Sequence, residues 1–207
     1  MPAFVDLATL ASAILLIGLA STVSLVVLIA DWRFAILALV IHYILAAILL
    51  GSLVAFPIAL ARIVSGALAA LILYFTARQT QWRDRTAPVF IIGFTFRLFA
   101  LALVAASIAG IASSMTFLSL APSTLFGGLF LISIGVLVAI LSRDVLRLGV
   151  GILIFSSGFC ILETGTELSL FLYGLLNIAD LLLAVVIAHL SKISRDEEWT
   201  DHRSESA

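Results

Sequence analysis

The sequence predicts an all-α integral membrane protein with about seven transmembrane helices, and both its composition and the lengths of its apolar segments indicate this fold class. Of the 207 residues, 63% are hydrophobic and 11% are charged, whereas soluble domains carry roughly 25% charged residues. A water-soluble core could not bury so much apolar surface, so lipid must cover part of it. Because roughly 20 apolar residues cross a bilayer as a helix, the chain has room for seven spans.

Charged and turn-forming residues interrupt the apolar sequence at six places, and these interruptions set the predicted helix ends. The interruptions are Asp31 to Arg33, Phe56 to Pro57, Arg78 to Arg85, Ser113 to Ser123, Ser142 to Asp144 and Glu163 to Glu167. The predicted helices are 7–30, 34–55, 58–77, 88–112, 123–142, 145–163 and 167–190.

Local signals support the ends of several helices. The first apolar run follows Asp6, has no Lys or Arg before it, and exceeds the ~7–15 residues of a signal-peptide core, so it is predicted to be a retained span. Thr164 and Glu167 form a capping-box pattern that would open the last helix. Residues 1–190 are thus one transmembrane domain, and the polar tail 191–207 is expected to be solvated, cytoplasmic and poorly ordered.

Basic residues in the connections, at the ends of the predicted spans and in the tail all fall on one side of a seven-span arrangement. They are Arg33, Arg78, Arg83, Arg85, Arg143, Arg147, Lys192, Arg195 and Arg203. Cytoplasmic loops carry the excess of Lys and Arg. The N-terminus is therefore predicted to face outward and the C-terminus the cytoplasm, in a multi-pass protein of the cell membrane.

Composition and motifs also limit the chemistry of the chain. The net charge of −1 gives no basic surface for nucleic acid, and the lone Cys160 cannot form an intramolecular disulfide and is expected to be a buried thiol. We find no phosphate-binding glycine loop, cysteine cluster or paired histidine ligands, so no catalytic residue, metal or cofactor is assigned. Small residues recur within the helices, including Gly66, Gly128, Gly151 and Gly158, and favour close helix packing.

Asp180 is the most unusual residue, because it lies near the middle of the last predicted span. An ionised group there costs at least ~2.5–3.5 kcal/mol, so such residues are generally paired, neutral or functional. Asn177 and Ala184 share its helix face, which is predicted to point into a bundle or a partner. Two interpretations stay open, a structural ion pair with Arg97 of the fourth span and a separate proton-handling role. Arg62, one turn inside its span, is expected to extend toward the membrane surface.

Other polar residues could extend a proton path. His42 and His189 lie in the second and last spans, and histidine takes up a proton near neutral pH; simple packing is the alternative for each. Glu163, beside the short outer connection, is most simply solvated but could lead outward.

The last third of the chain resembles a known family. The segment "SRDVLRLGVGILIFSSGFCILETGTELSLFLYGLLNIADLLLAVVIAHLSKI" resembles the end of the E subunit of hydrogenase-4 and of related formate hydrogenlyase complexes. That subunit is related to the K subunit of NADH-quinone oxidoreductase (complex I) and to the C subunit of Mrp-type antiporters. The segment "YFTAR" resembles the third helix of the family. Within the longer segment, 143–192 corresponds to the K-subunit-like region.

The resemblance implies a non-redox membrane subunit between the redox-side and antiporter-like subunits of a larger complex. Asp180 stands where the family keeps an acidic residue, and Asn177, Ser156 and Ser157 would bind waters of an intramembrane proton path. Ser156 occupies a position where the family has a second carboxylate, and the family's third-helix lysine is absent. Two alternatives remain: a scaffold subunit that moves no ions, and an independent small transporter, against which the missing internal repeat argues.

Overall fold

The structure, a computed structural model, describes residues 2–29, 31–51, 56–79, 93–114, 122–166 and 170–205; within these ranges, side chains near several segment ends are left out. These residues form seven α-helices. They are α1 (Pro2–Leu28), α2 (Trp32–Gly51), α3 (Phe56–Gln79), α4 (Phe94–Ser114), α5 (Pro122–Leu141), α6 (Val145–Thr166) and α7 (Leu170–Glu205).

The all-helical fold predicted from composition is confirmed for the described part of the chain. Within it, six helices, α2 to α7, are long and apolar enough to cross a membrane, and the described side chains of α1, Ser12–Leu28, form a shorter apolar segment. Large apolar side chains such as Ile48, Phe99 and Leu182 point outward. A bundle with an apolar exterior is suited to lipid as its solvent.

Several helix ends differ from the prediction. Helix α4 begins at Phe94 after the non-helical Gly93, whereas a start at 88 was predicted; residues 88–92 lie outside the described ranges. The last helix was predicted to end at 190, whereas α7 continues to Glu205, so the described part of the polar tail is helical. The capping box is also wrong, because Thr164 lies inside α6, where its Oγ1 donates to the Cys160 carbonyl oxygen at 2.8 Å. Glu167 lies outside the described residues.

The apolar core lies where α1, α2, α5 and α6 meet. Val23, Leu39, Leu131, Ile134 and Leu153 are each at most 1% exposed and come from these four helices. Helix α3 packs against α2 and α7, α7 also contacts α6, and α4 lies at the edge against α5 and α1. This arrangement leaves a second junction, between α2, α3, α6 and α7, which holds the polar residues described below.

Four glycines bring α5 and α6 into backbone contact. A Cβ atom on Gly135 would lie 2.6 Å from the Gly151 carbonyl oxygen, and one on Gly151 would lie 2.8 Å from the Gly135 carbonyl oxygen. One on Gly158 would lie 2.7 Å from the Gly128 carbonyl oxygen. Within each helix the two glycines are seven residues apart and so share a face. The expected role of Gly128, Gly151 and Gly158 in close packing is confirmed, and we call these four residues the glycine seam.

Candidate functional site: an ion pair buried between four helices

The face of α7 that carries Asp180 points into the bundle, as the sequence predicted. Asp180 is 1% exposed, Asn177 is 7% exposed and Ala184 is fully buried. Tyr173 and Ile187 continue the same buried row at helical spacing of three and four residues. This row faces α3 and α6, so the carboxylate lies against protein.

Asp180 forms an ion pair with Arg62 of α3. The distance from Arg62 Nη1 to Asp180 Oδ2 is 2.7 Å, and the arginine side chain is fully buried. A charge-assisted hydrogen bond of this length is among the stronger protein contacts. Since the two charges are opposite, the pair as a whole brings no net charge into the apolar bundle.

Two further helices supply side chains that bind the pair. From α2, the Tyr43 hydroxyl donates to Asp180 Oδ2 at 2.9 Å, and the Tyr43 ring stacks on the guanidinium with its centroid 4.9 Å from Arg62 Cζ. From α6, Ser157 Oγ accepts a bond of 2.7 Å from Arg62 Nη2. The carboxylate and both terminal guanidinium nitrogens are therefore engaged by neighbouring helices.

Asn177 links the pair to a second layer of hydrogen bonds. Its Oδ1 accepts from Ser65 Oγ at 2.7 Å and lies 3.4 Å from Arg62 Nη1. Its Nδ2 donates to the Tyr173 carbonyl oxygen one turn earlier in α7, at 2.9 Å. Because both ends of the amide are bonded, its orientation is fixed, with the oxygen toward the arginine.

A glycine makes room for the tyrosine. A Cβ atom on Gly66 of α3 would lie 2.2 Å from Tyr43 Cγ and 2.6 Å from Tyr43 Cβ. The ring therefore lies directly on the α3 backbone, one turn from Arg62. Any larger residue at this position would push α2 away from α3 and separate the hydroxyl from Asp180.

The expected partnership between Asp180 and Arg97 is not what the structure shows. Arg97 Nη1 donates to the Val27 carbonyl oxygen at 2.8 Å, at the C-terminal end of α1. Arg147 of α6 binds the same end, through the carbonyl oxygens of Val26 at 2.8 Å and Ile29 at 2.5 Å. Cations stabilise the carbonyl end of a helix. Arg97 thus holds a helix end, because α4 begins at Phe94 and places it within its first turn.

Arg62 was expected to extend toward the membrane surface, and that expectation is wrong. Its backbone lies six residues, or about 9 Å, from the start of α3, but its side chain turns inward to Asp180. Asp180 is about 15 Å from the start of α7, and Tyr43 and Ser157 are about 12–14 Å from the matching ends of α2 and α6. The four groups therefore meet at one level of the bundle, and its distance from these helix ends is about half the thickness of a ~30 Å bilayer core.

The remaining residues predicted for a proton path are more dispersed. Ser156 is half-buried, and its neighbour Ser157 makes the contact with Arg62. Glu163 lies about 9 Å further along α6 toward its C-terminal end, and His189 is exposed about 14 Å beyond Asp180 along α7. Cys160 is fully buried and free, as predicted.

His42 lies beside the cluster without joining its hydrogen bonds. The imidazole is 1% exposed and meets the Tyr43 ring edge-on, with 6.0 Å between ring centroids. Among the described protein groups, neither Nδ1 nor Nε2 has a hydrogen-bond partner. A buried polar group in this state costs roughly 1–3 kcal/mol, so its presence calls for a physical explanation.

Sequence reasoning found Asp180 and Asn177 but missed Tyr43 and Ser65 and misread Arg62. The signal for Arg62 was available, since it is a charged residue inside an apolar span with a serine three positions later. Tyrosine in a membrane helix gives no comparable signal. Only the packing of α2 against α3 shows that the Tyr43 hydroxyl reaches the carboxylate.

The chemistry open to this site is proton transfer and charge compensation. It combines a carboxylate, a phenol, an amide and two hydroxyls around one guanidinium. Across the described ranges, no group of three or more His, Cys, Asp or Glu side chains could hold a metal ion. Because Arg62 lies on α3 and Asp180 on α7, their ion pair connects these two helices directly.

The fold and the site together define a multi-pass α-helical membrane protein with an ion pair buried between its helices. Comparisons with protein-family models, with curated proteins and with solved structures gave no significant match.

Proposed function

We propose that this protein is a non-redox membrane subunit of a proton-translocating complex of the complex I or hydrogenase-4 type, and that its buried ion pair is a step of the intramembrane proton path. The observation that supports this most directly is the Arg62–Asp180 pair itself, bonded to Tyr43 and Ser157 near mid-bilayer depth. Polar chains at such depth are typical of proton relays.

His42 adds a second support. It directly precedes Tyr43 in α2 and is buried, with ring nitrogens that are not engaged by described protein groups. Because no described protein group is bonded to either ring nitrogen, the imidazole is open to hydrogen bonds with water molecules of the proposed path. In the proposed path, His42 exchanges protons with the Tyr43–Asp180 pair, and Glu163 and His189 lie toward its two ends.

The proposed placement has seven spans in the cell membrane, with the N-terminus outside. Helix α1 contains 27 residues and is about 40 Å long, which exceeds the ~30 Å bilayer core. Counting it as a span places every Lys and Arg of the connections and the tail on the cytoplasmic side. The exposed apolar faces of α4 and α7 would then contact lipid or the antiporter-like partner subunits.

The experiment uses the complex purified from native membranes through a tag on this chain. Co-purification of large antiporter-like membrane subunits is expected, and recovery of the chain alone would contradict the proposal. In reconstituted complex, Asp180→Asn combined with Arg62→Gln removes both charges and should preserve assembly. Proton pumping per electron transferred should then fall, while unchanged pumping by an intact complex would end the relay hypothesis.

A scaffold role is the second candidate, and the completeness of the ion pair favours it. Arg62, Asp180 and Asn177 satisfy one another, as groups in a structural contact between helices do. Ser156 also stands where the resembled family keeps a second carboxylate. Under this interpretation the neutral double variant assembles and pumps normally, so the same measurement distinguishes the two functions. Tyr43→Phe is a milder test, because it removes one hydroxyl and keeps the ring on Gly66.

A further inference from the structure

A groove between α2 and α3, on the exterior of the helix bundle, has features that the ion pair does not explain. Its volume is about 720 Å³, within the ~300–1,000 Å³ typical of small-molecule sites. One end is formed by Arg33 and Arg78, with Trp32 and Tyr74 beside them, and the rest is lined by apolar side chains such as Leu71.

The groove exists because small residues of α3 face α2 at this level. Ala67 and Ala70 line it, and they leave a depression that larger side chains would fill. At its mouth, the rings of Trp32 and Tyr74 are in contact, with 5.9 Å between centroids, so the ends of α2 and α3 are held together there. The shape is therefore part of the helix packing.

The dimensions of the groove match one leaflet of a bilayer. From Arg33 to Val40 along α2 is about 10 Å, and from Arg78 to Ala67 along α3 is about 16 Å. Half of a ~30 Å hydrocarbon core is about 15 Å. An acyl chain lying along the groove would therefore extend from the headgroup level to about mid-bilayer.

The positive charge at one end of the groove favours an anionic lipid headgroup. Both arginines are exposed and lie near the ends of their helices, and no acidic residue in the described part of the chain lines the groove. Asp31, at the same end, accepts from the Arg33 backbone nitrogen at 2.9 Å and caps α2. Aromatic rings at this level are typical of the membrane interface, and arginine pairs geometrically with phosphate oxygens.

We infer that this groove binds one anionic phospholipid, with its phosphate between Arg33 and Arg78 and an acyl chain along Ala67 and Leu71. Near a membrane surface, each of the two arginines contributes roughly a fivefold preference for an anionic lipid over a neutral one. The inference is independent of the proton path, because none of the residues of the ion pair lines the groove.

The test measures quenching of Trp32 fluorescence by brominated lipids. The other two tryptophans, Trp82 and Trp199, are changed to Phe, and the protein is reconstituted in mixed vesicles of phosphatidylglycerol and phosphatidylcholine in which only one of the two is brominated. We expect the association constant at Trp32 to be at least about fivefold higher for phosphatidylglycerol. Equal quenching by both lipids, or quenching by neither because protein covers the groove, would overturn the inference.

Two variants and one control separate the headgroup from the chain. Arg33→Gln with Arg78→Gln should remove most of the preference, whereas Arg143→Gln, an exposed arginine at the same end of the bundle, should leave it unchanged. Ala67→Leu keeps every charge and fills the groove. If the acyl chain lies in the groove, Ala67→Leu should reduce the preference for phosphatidylglycerol at least twofold. An unchanged preference would show that the lipid is attracted only by the surface charge, and would contradict a binding site in the groove.

Discussion

Neutralising Asp180 is expected to destabilise the protein through the arginine it leaves behind. In Asp180→Asn, the fully buried Arg62 loses its counter-charge, although Ser157 and Asn177 still accept from it. Removing one partner of a buried pair costs roughly 3–5 kcal/mol. The unfolding equilibrium should therefore shift by at least about a hundredfold. Reversible unfolding in mixed micelles, followed by circular dichroism, measures this free energy directly.

A double variant then identifies the partner. Arg62→Gln combined with Asp180→Asn leaves no uncompensated charge, so its free energy of unfolding should lie closer to that of the natural protein than that of either single variant. Arg97→Gln is the matched control, because Arg97 binds the end of α1. Its cost should add to that of Asp180→Asn within roughly 0.5 kcal/mol, as for independent sites.

Two results would refute this reasoning. A loss of under about 1 kcal/mol in Asp180→Asn is well below the range for breaking a buried pair, and would show that the carboxylate is not compensating a buried charge. Rescue by Arg97→Gln that equals the rescue by Arg62→Gln would show that the two arginines share the carboxylate, contrary to the structure.

The other predictions address the hydrogen bonds, the packing, the topology and the cofactors. Ser157→Ala should lower the free energy of unfolding by roughly 1–3 kcal/mol, because it removes an acceptor of Arg62, whereas Ser156→Ala should have little effect. A larger loss in Ser156→Ala than in Ser157→Ala, measured by unfolding titrations, would be inconsistent with the site. Gly158→Ala should raise the unfolded fraction strongly because its Cβ would meet the α5 backbone, whereas Gly174→Ala, with open space around it, should not; equal thermal stabilities would argue against the seam. A cysteine at Ser119 should react with an impermeant maleimide from outside intact cells, and labelling only after lysis would reverse the topology. The purified chain should carry no stoichiometric haem, flavin or iron–sulfur centre by absorption and metal analysis, and finding one would contradict the proposed non-redox role.

The sequence predicts the helices well because a helix that crosses lipid needs a run of apolar residues, and the interruptions are visible. It also identifies Asp180 and Asn177, since polar groups in such a run are rare and share one face of α7. The helix ends are less predictable. Thr164 fits a capping pattern, yet its hydroxyl is satisfied by the carbonyl of Cys160 within α6.

The partner of Asp180 could not be read from the sequence for two physical reasons. Predicted depth depends on where a helix begins, and a start of α4 at Phe94 moves Arg97 to the first turn. Partnership also depends on which helices are neighbours, and α3, not α4, packs along α7. The long arginine side chain then lets Arg62 reach a group that lies deeper than its own backbone.

The glycine seam has a consequence for movement in this protein. Where two helices touch through their backbones, a shift of one helix by one residue along its axis, about 1.5 Å, would drive its carbonyl oxygens into the backbone of the neighbouring helix. Helices α5 and α6 should therefore behave as one rigid body, and Ser157, next to Gly158, should keep its position on it. Any displacement that separates Arg62 from Asp180 would then be a sliding or tilting of α3 or α7 against the fixed helices α5 and α6. The hydroxyl of Ser157 would stay in place while the Arg62 guanidinium moves away from it and back.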